Sequence, residues 1–540
     1  MIILGINGGV RLGYQDVSAA LVIDGKIVAA VEEERINRIK FSPGQLPYYS
    51  IKAVLKKANI TIQDVDYIAT HGSTWGQEYL EVLKGYFKQT FGHCPKIEPV
   101  HHHNAHAASA FFPSGYDEAM VVTIDNSGDG VSTQLAIGSE NGLEVVDRFS
   151  RPNSLGIFYS LITQYCGFVR DSDEYKLMGL AAYGEPNIDL DWLLSWQGGS
   201  YILNDKYLKK VAPTASQPTR QQAIYNKNLI DKLGQAPLIL GETATSFYQD
   251  LAASAQQKFE EILIQVVKGF HQKTGLRKLC LAGGAALNCV ANQKLMNLDF
   301  VDEIYVQPAS GDSGISLGAA CYLSYESGFR PKPSDHTYLG EAFDNNAIQK
   351  VLGLTHNRFA QVENPAEHAS RLVAEDKTVG WFQGAAEFGP RALGNRSILA
   401  SPVNPDMGNL VNKIIKYRES FRPFCPAVLE EDVALFFEGK QNHSPYMTIT
   451  YDVNEHGSEA LPSITHVNKT ARIQTVSCEN NPLFYDYLSE LKKLTGFGVS
   501  MNTSFNVKGE PMVYTPIDAI RTFYGSGLDH LVLGNFILSK

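Results

Sequence analysis

Apolar residues in the first forty positions come in short runs broken by glycine and acid, which predicts strands and tight turns rather than helices. Ile2 to Ile6 reads as a strand, a glycine-rich bend with Gly8, Gly9 and Gly13 follows, and Ser18 to Ile23 is a second strand. Asp24-Gly25 then turns into a third, Ile27 to Glu33. The same grammar returns at residues 119 to 147: AMVVTI, the turn DNSGDG, STQLAIG, the turn SENG, and LEVV. The topology is therefore expected to be duplicated. Hairpin duty explains Gly25 and Gly142, whereas the cluster from Asp125 to Gly130 fits a turn whose backbone N–H groups approach an anion. A helical period takes over from Glu242 to Lys273, and the intervening run EEERINRIK, Glu32 to Lys40, reads as a solvated helix face. At 328 to 345 the string GFRPKPSDHTYLG loses apolar periodicity, so two α/β domains are expected, 1–345 and 346–540.

Composition narrows the classes without choosing one. A chain of 540 residues exceeds one ordinary core, and 44% hydrophobic with 19% charged residues is a globular balance. A net charge of -10 argues against broad nucleic-acid binding. No uncharged run reaches the roughly 18 residues of a membrane span. The seven cysteines, among them Cys94, Cys280 and Cys425, form no CxxC pair, as in a reducing compartment, so a cytoplasmic location is expected.

The Ala-rich string HHHNAHAASAFF, His101 to Phe112, should be helical and would place His102 and His106 on one face. Asp125 ends a strand and Asp312 lies in the turn of QPASGDSGISLGAA. Two imidazoles and two carboxylates suit Fe(II), Mn(II) or Zn(II), with Fe(II) first, better than Mg(II) or Ca(II). Ordinary helix and turn residues are the alternative. Asn126, Gly128, Asp129, Gly283, Gly284 and Asn288 gather at strand carboxyl ends, where α/β folds hold ligands. Beyond the boundary, Arg391 and Arg396 flank Asn395 among glycines, and Lys416, Arg418 and Arg422 lie among aromatics. Such a cluster in an acidic protein predicts an anion site, with pairing to Glu387, Glu419 and Glu430 as the alternative. His466, Arg472, and the polar stretch Asn502 to Asn506 with Ser504 extend it.

The strings SAALVIDGKIVAAVEEER, HHHNAHAASAFF, KLMGLAAYG, GGAALNCVAN, GDSGISLGAA, EFGPRALGNRSIL, YRESFRPFCPAV, TARIQTV and NTSFNVKGEP, in this order, resemble the O-carbamoyltransferases of the NodU and TobZ type. The resemblance implies an N-terminal domain of the actin-like ATPase superfamily, like the protein that makes tRNA threonylcarbamoyladenosine, and a C-terminal YrdC-like domain. It implies that ATP, with Mg(II), and carbamoyl phosphate become carbamoyl adenylate, whose carbamoyl group passes to a hydroxyl of a small metabolite such as an antibiotic or sugar. The metal set carries over to His102, His106, Asp125 and Asp312, and the nucleotide motifs to Lys416 with Arg418, Ser504 with Asn506, and Arg472. Lys40 matches a basic-run lysine. Gln15-Asp16 stands where the family has His-Asp, so Lys40, Asp16 and Gln15 are the catalytic candidates. A small-molecule acceptor, no nucleic acid or membrane partner, and a homodimer are the expected associations. A tRNA-modifying enzyme and a nucleotide-gated scaffold are the competing readings.

Overall fold

The computed structural model describes residues 1–9, 16–210, 220, 222–355, 357–419 and 421–540. Two compact units make up the chain: Met1–Val28, Pro43–Pro47 and Ile60–Ser334 form one, and Ala29–Ser42, Tyr48–Asn59 and Asp335–Lys540 the other. Among the described residues no helix is long and apolar enough to cross a membrane.

Strands IILGIN and SAALVI are apolar on both faces, so they take central places with both faces covered. The first sheet consists of β1 (Ile2–Asn7), β2 (Ser18–Ile23), β3 (Lys26–Glu32), β4 (Tyr67–Thr70) and β5 (Lys96–Pro99), in the order β3-β2-β1-β4-β5. β1 runs antiparallel to β2 and parallel to β4. The second sheet consists of β6 (Ala119–Gly128), β7 (Val131–Ser139), β8 (Gly142–Ser150), β9 (Lys278–Ala282) and β10 (Glu303–Val306), in the order β8-β7-β6-β9-β10. β6 is antiparallel to β7 and parallel to β9. The two orders are the same, so the expected duplication is present strand for strand.

Each repeat continues into a helix after its fifth strand, α1 (His102–Ser114) after β5 and α3 (Ser313–Glu326) after β10, with the long α2 (Ser246–Thr274) between them in sequence. A Cβ on Gly318 would stand 1.8 Å from the carbonyl oxygen of Ala105. The two equivalent helices thus meet backbone to backbone, which only glycine permits there. The helix expected over 242 to 273 is α2, whose inner face buries Leu251, Ala255, Phe259, Ile262 and Val266.

In the second unit β11 (Ala360–Gln361), β12 (Val379–Phe382), β13 (Arg396–Ala400), β14 (Cys425–Leu429), β15 (Gln474–Val476), β16 (Val499–Ser504), β17 (His530–Leu533) and β18 (Phe536–Ser539) form a mixed sheet in the order β11-β18-β17-β12-β13-β16-β14-β15. Trp381, Leu399, Leu429, Tyr487 and Leu491 are part of its core.

The run Glu32 to Lys40 corrects the expectation of a solvated face. Glu32, Glu33 and Arg35 are buried. The Glu33 carboxylate accepts from the Tyr49 and Ser50 amides at 2.9 and 2.7 Å, and Glu32 accepts from the Gly389 amide at 2.7 Å. Arg35 donates to the Gly389 carbonyl. Buried charges persist where such partners replace water, and charge density alone does not reveal them.

Candidate metal centre and cationic site

Equivalent positions of the two repeats supply the first cluster. His102 and His106 occupy the first turn of α1 and its successor, while Asp312 stands just before α3, the counterpart helix, with no side-chain cap bond of its own. Asp125 lies where regular pairing of β6 with β7 breaks, between Ile124 and Gly128. His102 Nε2 is 3.0 Å from Asp125 Oδ2 and 3.8 Å from Asp312 Oδ1; His106 Nε2 is 3.6 and 3.5 Å from the same oxygens. One ligand atom from each of the four lies within 4.8 Å of the others.

Ligand bonds of about 2.0–2.2 Å place neighbouring ligand atoms about 3.0–3.5 Å apart, so these spacings fit an ion. A second observation agrees: His106 is fully buried, yet neither ring nitrogen makes a hydrogen bond of ordinary geometry. Burial opposes its charge, but Asp125 and Asp312 outweigh that and push His106 up to about 9. Burial would raise Asp125, yet the bond from His102 and the charge of the two imidazoles hold it well below the usual carboxylate range. The cluster is thus an acidic pair that attracts positive charge, whether proton or metal.

Neighbouring residues hold this geometry. A Cβ on Gly128 would stand 2.0 Å from His102 Cγ, so the glycine makes room for the imidazole. Asp129 accepts from the His102 amide at 2.9 Å and from Thr74 Oγ1 at 2.6 Å, which caps the first turn of α1. Asn126 donates to Asp171 at 2.5 Å. Gly283, at φ +90°, could carry no Cβ, since one would meet the Ile124 carbonyl oxygen at 2.2 Å; a Cβ on Gly284 would be 3.3 Å from Asp125 Oδ1. Asn288 is a buried helix cap, its Oδ1 accepting from the Ala291 amide and its Nδ2 donating to Gln256. His103, beside the pair, has a different task. Its Nε2 donates to the Val131 carbonyl at 3.0 Å, so its Nδ1 accepts from Thr123 Oγ1 at 2.6 Å.

Sequence reasoning missed His71. It follows β4 directly, is 5% exposed, and its ring lies 5.9 Å from that of His102. Burial and His102 pull it down to about 4 against Asp312 and Asp129, so it is neutral near pH 7. The available signal was its place: His71-Gly72 ends β4 as Gly283-Gly284 ends β9.

Of the catalytic candidates, Gln15 lies outside the described residues. Asp16 sits in the first unit at φ +58°, its carbonyl accepting from Asn7 Nδ2 at 2.8 Å. Lys40 sits in the second unit, exposed, with its Nζ 5.1 Å from the Phe41 ring centroid.

The second unit brings together three of the proposed anion ligands. Lys416 Nζ donates to Asn506 Oδ1 at 2.8 Å, to Ser504 Oγ at 3.3 Å, and to the Ser504 and Asn506 carbonyls. Burial, then Arg418, Arg422 and Lys40, push its ammonium well below the ordinary lysine range. Arg418 donates to Asn412 Oδ1 and stacks 4.4 Å over Phe424. Arg472 donates to Cys425 Sγ at 3.2 and 2.9 Å. His466 bonds Asn468 at 3.1 Å and is lowered by burial. Arg391 is half-buried.

Arg396 is bonded within the second unit. It is fully buried, stacks 3.7 Å over Phe382, and donates to the carbonyls of Gln383, Gly384, Asn395 and Glu341. Burial, opposed by Glu387, lowers it to about 10. Asn395 likewise donates to the Ala385 carbonyl at 2.7 Å and accepts from Asn481 at 3.0 Å. Glu387 accepts from the Arg396 backbone amide at 3.2 Å, while the guanidinium bonds carbonyls.

Residues 71–321 match the family described as carbamoyltransferase N-terminus, and residues 370–540 the one described as carbamoyltransferase C-terminus. The nodulation protein NolNO of Sinorhizobium fredii is 35% identical, across 100% of this chain and 83% of that protein. The uncharacterised protein sll1178 of Synechocystis is 39% identical, across 98% and 96%. Among solved structures, Acidaminococcus fermentans (R)-2-hydroxyglutaryl-CoA dehydratase component A shares 16% identity, across 61% of this chain and 99% of that one, at a TM-score of 0.34.

Proposed function

Because the chain belongs to the carbamoyltransferase family and is a carbamoyl-transferring enzyme, we propose that it makes carbamoyl adenylate from ATP and carbamoyl phosphate and passes the carbamoyl group to a hydroxyl of a small metabolite. The observation that carries the metal half of this reading is the four-ligand cluster His102, His106, Asp125 and Asp312, whose orphaned His106 nitrogens suit an ion. Fe(II), Mn(II) or Zn(II) held there would supply a Lewis acid beside the adenylate phosphate.

The rest of the chemistry falls to the chain's own side chains. In residues 346–540, Lys416, held by Ser504 and Asn506, and the neighbouring Arg418 would neutralise phosphate charge and align ATP. A water molecule cleaves carbamoyl phosphate into carbamate and inorganic phosphate, and a carbamate oxygen then displaces pyrophosphate from the α-phosphorus of ATP. In residues 1–345, the acceptor oxygen then attacks the carbamoyl carbon, AMP leaves, and the acceptor proton passes to the departing phosphate or a nearby group. Enclosure matters, because both carbamate and the adenylate decompose in water. A net charge of -10 favours a small acceptor over tRNA, and we place the enzyme in the cytoplasm.

The test is incubation with labelled carbamoyl phosphate, ATP, Mg(II) and a panel of hydroxylated metabolites, with AMP, pyrophosphate and carbamoylated product followed together. AMP formation that depends on carbamoyl phosphate is expected. Nucleotide binding without such turnover would overturn the reading and leave a nucleotide-gated scaffold.

A further inference from the structure

His71 is a buried imidazole whose Nδ1 has no hydrogen-bond partner. Burying such a nitrogen unpaired is costly unless something arrives to pair it. The surroundings show that the ring is placed rather than left over. Gly72, at φ +89°, makes room for Trp75, since a Cβ there would meet the indole at 2.6 Å. Trp75 in turn packs edge-on against His71 with centroids 4.7 Å apart. His71 also meets the His102 ring edge-on, with centroids 5.9 Å apart, and lies within electrostatic reach of Asp312, Asp129 and His106. The duplicated fold gives the position its meaning. His71-Gly72 ends β4 as Gly283-Gly284 ends β9, and a Cβ on Gly284 would stand only 3.3 Å from Asp125. Two equivalent strand ends therefore approach the four-ligand cluster, one presenting bare backbone and the other an imidazole.

We infer that His71 is a further contact residue of this centre, hydrogen-bonding an O–H group held beside the His102–His106–Asp125–Asp312 cluster. The chemical class is an alcohol hydroxyl or a water, and an O–H group serves either imidazole tautomer because it both donates and accepts. This rests on the reading that the cluster holds a divalent ion. His71 is not counted among the ligands, for its ring nitrogens fall outside the four-atom group.

The test loads full-length wild type, His71→Phe and His71→Asn with Mn(II) alone and measures binding together with water-proton relaxation. Glycerol is then titrated in as the alcohol probe. Phe keeps the packing against Trp75, and Asn keeps a polar atom near the Nδ1 position, so the two variants disturb the site in different ways. All three should bind one Mn(II) per chain, the two variants with affinity lowered by no more than roughly 10- to 100-fold, since the four ligands remain. In the Phe variant, water exchange or the glycerol half-effect concentration should change by roughly two- to tenfold, the size of one hydrogen bond, and Asn should restore part of it. A change in relaxation alone identifies water as the O–H group, and a change in the glycerol response identifies the alcohol; either supports the contact. With Mn(II) bound, unchanged values in both arms overturn the inference. Loss of the ion from the Phe variant also overturns it, by making His71 a ligand. Failure of wild type to bind any divalent ion would instead bring down the metal reading and the contact with it.

Discussion

Gly128 lies at the centre of the metal geometry although it can ligate nothing. A methyl there would occupy the His102 ring, so Gly128→Ala should displace the imidazole and lower metal affinity by roughly 10- to 100-fold, the range for disturbed supporting groups. Isothermal titration with Co(II) measures it, and wild-type affinity in this variant would mean that the ring moves without cost. Lys416 gives a pH prediction. Its free ammonium is held well below the ordinary value of about 10.5, by burial and by three cations, and phosphate binds the protonated form. ATP binding should therefore take up a proton, and affinity should fall with rising pH well before the ordinary lysine range. Lys416→Arg, which stays charged, should flatten the profile. Calorimetry in buffers of differing ionisation enthalpy reads the proton directly, and zero uptake across the range would contradict the depressed value. At this scale the sequence was uneven. His102, His106, Asp125 and Asp312 were legible because residue types and turn positions suffice to nominate a ligand. For Asp129, Asn288 and Arg396 residue type alone does not decide, because the same side chains also serve as caps and buried braces, and the structure shows them bonded within the chain.

Helices α1 and α3 bring ligands from both repeats to one place, and their closeness depends on Gly318. With Ala105 O only 1.8 Å from the position of a Cβ, Gly318→Ala must separate the helices. The expected loss is on the order of 1–3 kcal/mol in denaturant unfolding, accompanied by weaker metal binding because His106 and Asp312 move apart. If stability falls and metal affinity does not, the ligands are set by their strands and not by this helix pair. Strands β1 to β3 and β6 to β8 were readable from apolar runs and Asp-Gly or glycine turns, since local pattern fixes such hairpins. The role of His71 was not, because it depends on pairing β4 with β1 and on the loop that carries Trp75, neither of which leaves a periodic trace.

At the scale of the whole molecule, the proposed division of labour predicts two distinct failures. Arg418→Ala should stop AMP formation as well as product, whereas His106→Ala should still consume ATP while giving little product. Each loss should be about 10² to 10³ in rate, as for one preorganised electrostatic contact. Equal loss of ATP consumption in both variants would point to a single composite centre. The membership of residues 29–42 and 48–59 in the second unit bears on how this chain is made. Arg35 leaves the ribosome 354 residues before the Gly389 carbonyl it will bind, and Arg38 emerges 474 residues before Met512, whose carbonyl it bonds at 2.6 Å. Throughout most of synthesis these guanidinium groups stay with water or borrowed partners, and the second unit cannot close until nearly the last residue is added. A gene split after Ser334 would therefore strand an early segment of the second unit on the wrong polypeptide, and the 335–540 product alone would lack the arginines its own carbonyls receive.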